Sequence, residues 1–146
     1  MAAPQFFTPQ RPAASRPVRR FTLEQANRSL PLVRRIVADI VRMHGVAASH
    51  RETLEKTTAA KELTVIQKEL DAALARLEAL VDELSTVGVE LKDYQAGLID
   101  FVGRHDGRDV YLCWKLGEER ITHWHEISAG FSGRKPVSLL REKEKA

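Results

Sequence analysis

Two histidines near the carboxyl end of the chain, His123 and His125, have the residue type and spacing best suited to metal binding or catalysis. If this segment is a β-strand, residues two positions apart point to the same face, and the two imidazoles lie side by side. Imidazole is a common ligand for zinc, iron and manganese, and Asp100 in a neighbouring predicted strand is the candidate third ligand. The pattern therefore predicts a divalent transition-metal site at His123, His125 and Asp100, with Glu126 facing the other way.

A catalytic version of this site needs three protein ligands and an open position for water. Asp100 and His125 are then the candidate catalytic residues of a small metal-dependent hydrolase, with the bound water as nucleophile. Cys113 and His105 are alternative third ligands. Cys113 is also interpretable as a nucleophile beside a histidine, or as a small hydrophobic residue between Leu112 and Trp114.

A packing role competes with metal binding. Trp114 and Trp124 fall on the same face of adjacent predicted strands and can lie close together. Tryptophan commonly anchors a core. In this interpretation His125 is a buried imidazole that is hydrogen-bonded to Asp100 or to a backbone carbonyl, and it holds the strands to the rest of the fold.

Residues 130–135 form a second candidate site. Two glycines flank a phenylalanine, and the cations Arg134 and Lys135 follow. Backbone N–H groups and Arg134 can bind a phosphate or carboxylate in such a loop. The alternative is a tight exit loop in which Arg134 pairs with Glu118 or Glu126.

The elements that carry these residues follow a period of two that begins after Gly88, a predicted helix C-cap. The Asp106-Gly107 pair is a hairpin signal. The predicted strands cover residues 89–92, 98–102, 109–115 and 120–127.

A helical pattern precedes Gly88. Thr22 and Gln25 have the spacing of a capping box, which begins a short helix that is expected to end near Arg28. Pro31 disfavours helical geometry at the residue before it, so Ser29 is expected to cap a second helix. Apolar residues then recur at steps of three and four, and a later series repeats leucine every seven residues, as in a coiled coil: Leu63, Leu70, Leu77 and Leu84.

Residues 49–58 are polar and separate the two apolar series. We therefore expect an antiparallel hairpin of helices of about 25 and about 28 residues, each roughly 40 Å long. A single unbroken helix that dimerises is the alternative, because no glycine or proline interrupts residues 46–87. The predicted fold is α+β: a long antiparallel helical hairpin followed by a small antiparallel β meander of about four strands.

The apolar stripe of the helices is wider than a two-helix contact requires. Ile36, Val41, Leu74 and Val81 must meet the β block, a second copy of the chain or a partner helix. We expect a homodimer packed through the helical arm.

Composition is that of a globular chain, with 29% charged and 43% hydrophobic residues among 146. No apolar run reaches the roughly 20 residues of a membrane-spanning helix. A single cysteine, Cys113, forms no internal disulfide, which fits a reducing compartment. These observations favour a cytoplasmic protein with no membrane partner.

The net charge of +3 arises from the amino-terminal tail. Of the 23 lysines and arginines, four lie in the acid-free residues 1–20 (Arg11, Arg16, Arg19 and Arg20), which leaves 19 against 20 acidic residues in the remainder. This proline-rich tail is interpretable as a solvated, disordered leader, as a transit peptide, or as a segment that neutralises phosphates of RNA, DNA or acidic lipid.

The expected organisation has three parts. Residues 1–20 form the basic tail, residues 21–140 form one domain with a helical arm (22–87) and a β block (88–138), and residues 141–146 are a charged end.

Several motifs together resemble an uncharacterised bacterial family, domain of unknown function 2203. The resemblance spans about 115 residues, everything except the two tails, although the amino-terminal tail is longer than the family's usual start. It implies a small cytoplasmic bacterial protein of helical-plus-β build, and it implies no activity. The residues that carry it are Phe21-Thr22-Leu23-Glu24-Gln25-Ala26-Asn27, Gly88-Val89-Glu90-Leu91-Lys92-Asp93, Gly97-Leu98-Ile99-Asp100-Phe101, Val110-Tyr111-Leu112-Cys113-Trp114-Lys115-Leu116-Gly117-Glu118, Trp124-His125-Glu126 and Gly130-Phe131-Ser132-Gly133-Arg134.

Three functions are open at this point. The first is a non-enzymatic scaffold that dimerises through its arm and presents the β block to another protein. The second is the metal-dependent hydrolase. The third is a nucleic-acid-binding protein that acts through the arginine-rich tail.

Overall fold

The helical part of the fold is a hairpin. The computed structural model describes residues 18–142. Helix α1 spans Leu23–Lys56 and helix α2 spans Ala60–Val87, so residues 57–59 make the connection. The helices pack against each other, which confirms the hairpin and excludes the single unbroken helix. No described helix is long and apolar enough to cross a membrane.

The amino-terminal turn of α1 has the predicted capping box. Gln25 N–H donates to Thr22 Oγ1 at 3.0 Å, and Thr22 N–H donates to the Gln25 side chain at 2.9 Å. The predicted break after Arg28 is wrong, because Pro31 lies inside the continuous helix α1. Pro31 is exposed, while Leu30 and Val33 on either side of it are buried. Burial of these side chains holds the helix together across the missing hydrogen bond.

The position of the hairpin turn also differs from the expectation. Helix α1 continues through the polar segment to Lys56, and it is 34 residues long instead of about 25. Thr53 and Thr57 donate to the carbonyls of Ser49 and Thr53 at 3.1 and 2.7 Å. Local bonds of this kind, with the Lys56–Glu52 ion pair at 3.0 Å, outweigh the low helix propensity of threonine here.

A five-stranded antiparallel sheet follows the hairpin. Gly88, with a φ of 101°, ends α2 as predicted, and its N–H donates to Leu84 O. Each strand pairs with the next one along the chain. This confirms the α+β fold with its β meander, and adds a short fifth strand. The strands are β1 (Val89–Asp93), β2 (Leu98–His105), β3 (Arg108–Lys115), β4 (His123–Glu126) and β5 (Lys135–Pro136).

The inner face of the sheet and the helices share one hydrophobic core. Phe101, Trp114 and Trp124 are fully buried in it, as predicted for the two tryptophans. Ile36 and Val81 belong to the same core. Two of the helical positions that the sequence left without a partner are therefore covered within the chain.

The β2–β3 hairpin fixes which residues face each other. Asp106 and Gly107 both have positive φ, 49° and 79°, as a two-residue turn of this type requires. The turn pairs His105 with Arg108 and, further along the strands, Asp100 with Cys113. The opposite side of the sheet, the outer face, therefore carries Asp100 and Cys113 side by side.

The start of the described chain is tied to the sheet. Phe21 N–H donates to Val102 O at 2.8 Å, and its ring meets Phe101 edge-on at 5.1 Å. The Arg20 guanidinium binds both carboxylate oxygens of Asp109, at 2.8 and 3.1 Å, and Arg19 donates to Val87 O. Residues 1–17 of the predicted tail, and residues 143–146, lie outside the described residues.

Replacing Pro31 by alanine tests whether Pro31 costs α1 a hydrogen bond that burial of the neighbouring side chains outweighs. Alanine restores a backbone donor at an exposed helical position, so we expect the free energy of unfolding to rise by about 1–3 kcal/mol. Thermal and urea unfolding followed by circular dichroism measure the change. Arg35→Ala, an exposed position in the next turn, is the matched control and is expected to have little effect. An unchanged or lower free energy of unfolding for Pro31→Ala would show that Pro31 does not destabilise α1.

Candidate functional site

Three polar side chains are buried together on the outer face of the sheet. Asp100 lies on β2, Cys113 on β3 and His125 on β4, with exposed fractions of 3%, 1% and 3%. One ligand-type atom from each residue lies within 4.8 Å of the others. We call these residues the outer-face triad. Buried polar groups are stable only when they are paired, so the bonds within this group decide its chemistry.

The imidazole of His125 is held at both nitrogens. Nδ1 lies 2.8 Å from the backbone oxygen of Glu126, and Nε2 lies 3.2 Å from Asp100 Oδ1. A carbonyl only accepts, so Nδ1 carries a proton. The contact between Nε2 and the carboxylate then needs one further proton, on either the nitrogen or the oxygen. The pair shares this proton, and burial raises the pKa of the Asp100 carboxyl while His125 opposes the shift.

Cys113 is a thiol at neutral pH. Burial raises its pKa to about 12, and the negative charge of Asp100 adds to the shift. The sulfur lies within 4.8 Å of the ligand atoms of Asp100 and His125. A nucleophilic cysteine needs a base to take its proton, whereas His125 is directed at Asp100. Its burial therefore favours a protonated thiol over a nucleophile.

The remaining predicted metal residue, His123, lies beside the triad without joining it. Its Cα pairs with that of Cys113, and its Nδ1 lies 2.8 Å from Thr122 Oγ1. Among the described residues, the group that could hold a metal contains Asp100 and His125 from the prediction and takes Cys113 in place of His123. The two-residue turn at Asp106-Gly107 was the signal for Cys113, because counting outward from it opposes Cys113 to Asp100.

His105 and Glu126 lie elsewhere. The ring of His105 packs on Trp124 at 4.3 Å, and its Nδ1 accepts the N–H of Arg141. Glu126 binds the Arg108 guanidinium at 3.0 and 2.6 Å, which holds the pKa of its carboxyl below the usual value. The side chains of both residues therefore have structural partners outside the triad, although the backbone carbonyl of Glu126 holds His125.

The second candidate site, around Arg134 and Lys135, is engaged with the protein itself. Arg134 lies over the Phe131 ring at 4.0 Å and 3.8 Å from the Glu118 carboxylate. Lys135 Nζ lies 5.1 Å from the Trp124 ring centroid. These contacts match the alternative of an exit loop, in which Arg134 pairs with Glu118.

Two further residues, Glu90 and Lys92 on β1, border the triad and were not predicted as part of a site. Lys92 Nζ donates to Glu90 Oε1 at 3.1 Å, and Tyr111 OH donates to the same oxygen at 3.2 Å. The Tyr111 and His125 rings are 5.4 Å apart. The alternation of apolar and polar residues in β1 was the available signal, because it places Glu90 and Lys92 on the outer face.

Comparison with protein families agrees with this fold. A family described as "Uncharacterized conserved protein (DUF2203)" matches residues 19–137. The chain belongs to the DUF2203 family. No curated protein and no solved structure matches it. The description of the family states no activity.

The buried state of Cys113 has a direct chemical test. The rise in pKa from 9.0 to about 12 lowers the thiolate fraction at neutral pH about a thousandfold. We expect a thiol reagent such as Ellman's reagent to react at least a hundredfold more slowly with the folded chain than with the chain in urea. Chelator is present throughout, so that no metal protects the sulfur. Equal rates in the two states would show that Cys113 is accessible and ionised.

Proposed function

We propose that this chain is a non-enzymatic interaction protein that forms a homodimer through the distal part of its helical hairpin and presents the β block to a protein partner. The distal arm is defined here as residues 48–69, the segment on both sides of the hairpin turn. The observation that carries the proposal is the burial pattern of this segment, in which every residue is at least partly exposed.

The distal arm has apolar side chains that its own two helices do not cover. Leu54, Leu63 and Ile66 are half-buried, and Val65 is 53% exposed. Closer to the sheet, the helices share the main core, whereas the last buried positions toward the tip are Ala47, Leu70 and Ala73. Two helices bury one stripe each, so this apolar surface is available for a further helix pair.

A second copy of the chain is a suitable occupant. The distal arm has four basic residues (Arg51, Lys56, Lys61 and Lys68) and four acidic ones (Glu52, Glu55, Glu62 and Glu69), so two copies meet without net repulsion. A two-fold axis through the arms would pair each patch with itself and give a four-helix bundle of two hairpins.

The alternative functions find less support in the geometry. A metal-dependent hydrolase needs access for its substrate, whereas Asp100 and His125 are only 3% exposed. A nucleic-acid-binding tail needs free arginines, whereas Arg20 binds Asp109 and Arg19 donates to Val87 O. Arg11 and Arg16 lie outside the described residues.

The dimer is tested by placing a charge on the distal arm. Val65→Glu adds a carboxylate at an exposed position that the dimer would bury. We expect the dimer dissociation constant to rise at least tenfold, which corresponds to about 1.4 kcal/mol. Light scattering coupled to size-exclusion chromatography measures the mass, and sedimentation equilibrium measures the constant.

Leu32→Glu is the matched control, because Leu32 is 48% exposed on α1 but lies near the sheet end of the arm. It should leave the dimer unchanged. A wild-type chain that is a monomer at tens of micromolar would end the proposal. Equal weakening by Leu32→Glu and Val65→Glu would place the interface elsewhere.

A further inference from the structure

We propose that the outer-face triad is a zinc site, with Asp100 Oδ1, Cys113 Sγ and His125 Nε2 as its protein ligands. The site differs from the predicted one, because Cys113 takes the place of His123. It does not depend on the proposed dimer, since its three residues lie on β2, β3 and β4, away from the distal arm.

The orientation of His125 matches that of a metal ligand. Metal-bound histidines almost always donate the N–H of their second ring nitrogen to a carbonyl or carboxylate. Here Nδ1 donates to the Glu126 carbonyl at 2.8 Å, which leaves the lone pair on Nε2 directed toward the other two ligands. The tautomer that binds a metal through Nε2 is therefore already selected by the backbone.

The distances suit one small cation. Zinc bonds of about 2.0–2.3 Å in a tetrahedral site place ligand atoms roughly 3.3–3.8 Å apart. Nε2 of His125 and Oδ1 of Asp100 are 3.2 Å apart, and all three ligand atoms fall within 4.8 Å. Small side-chain rotations would bring sulfur, nitrogen and oxygen to bonding distance.

The ligand chemistry selects the metal class. One thiolate, one imidazole and one carboxylate form a mixed set that a borderline-soft ion prefers, and zinc binds all three. Magnesium and calcium prefer oxygen ligands alone. No fourth histidine, cysteine or acid joins this group within residues 18–142, so a water molecule would complete the tetrahedron.

Charge balance supports exchange of protons for the metal. The metal-free triad holds the thiol proton and the proton shared by Asp100 and His125, and its net charge is zero. When zinc binds, the S–H bond breaks, the sulfur electron pair forms the bond to zinc, and both protons leave to solvent. The two positive charges of the ion replace those of the two released protons, so the net charge of the buried group stays at zero. Nearby charges also cancel, since Lys92 pairs with Glu90 and Arg134 with Glu118.

A titration with Co²⁺ tests the site. The 146-residue chain is prepared without a histidine tag and stripped of metal with chelator before the titration. Cys113 is the only cysteine of the chain, so a thiolate-to-cobalt charge-transfer band in the near ultraviolet reports that residue alone. We expect the band to saturate at one equivalent, with visible bands typical of four-coordinate cobalt, and to vanish when Zn²⁺ is added. Calorimetry in buffers of different ionisation enthalpy should show at least one proton released per Zn²⁺.

Variants identify the remaining ligands. His125→Gln and Asp100→Asn should weaken Co²⁺ binding by more than the tenfold to hundredfold loss that an outer-shell partner causes. Cys113→Ser should abolish the charge-transfer band. His123→Gln is the matched control, because His123 lies on the same strand and face as His125, and its binding constant should be unchanged.

Absence of the charge-transfer band in the wild-type chain, or less than about a tenth of an equivalent of bound Zn²⁺, overturns the proposal. An equal loss of affinity in His123→Gln and His125→Gln overturns the ligand set. If a variant fails to fold by circular dichroism, the wild-type cobalt spectrum decides on its own, because it needs no substitution.

Discussion

The apolar contact between the inner face of the sheet and the two helices positions every other part of this structure. Phe101, Trp114 and Trp124 are buried in that contact. Strand side chains alternate between faces, so burial of these three commits Asp100, Cys113 and His125 to the opposite side. The same contact covers Ile36 and Val81 on the helices and ends where the helices extend past the sheet. The outer-face triad and the distal arm are both consequences of it.

The outer-face triad is a polar group in a place where burial penalises charge. An isolated buried carboxylate would cost several kcal/mol, and Asp100 avoids that cost through its hydrogen bond with His125. Such an arrangement joins three adjacent strands through side chains as well as backbone bonds. The two protons of the metal-free group and the proposed zinc ion have the same role, since each balances the negative charge that Asp100 and Cys113 would otherwise carry.

The hairpin has two environments along its length. Near the sheet, its apolar residues lie in a core of helices and strands together, and farther out only the two helices remain. Helix α1 reaches Lys56 because burial at one end and i to i+4 side-chain bonds at the other stabilise a continuous helix. The length that results is what exposes Leu54, Leu63, Val65 and Ile66. Interaction through the arm and burial at the triad are therefore separate properties of one chain.

Much of the fold was predictable from the sequence because local signals were strong. The capping box at Thr22, the C-cap at Gly88 and the change of period after it located the hairpin and the meander. The alternation of side chains along a strand was enough to predict that Glu126 and His125 point to opposite faces. Pro31 and the polar residues before Thr57 misled the prediction, because a local preference of a few kcal/mol is outweighed by burial and helical side-chain bonds that no local pattern records.

By itself, then, the sequence determined the helical hairpin, the first four strands and the face that each strand residue takes, since these depend on periodicity within a few residues. Only the tertiary structure decided that Asp100 and His125, on strands separated by β3, meet beside Cys113 while His123 bonds to Thr122. That choice depends on strand register, twist and side-chain rotamer, which are settled by packing across the sheet. The histidine pair therefore contributes one ligand to the candidate site, and the core behind the sheet selects which one.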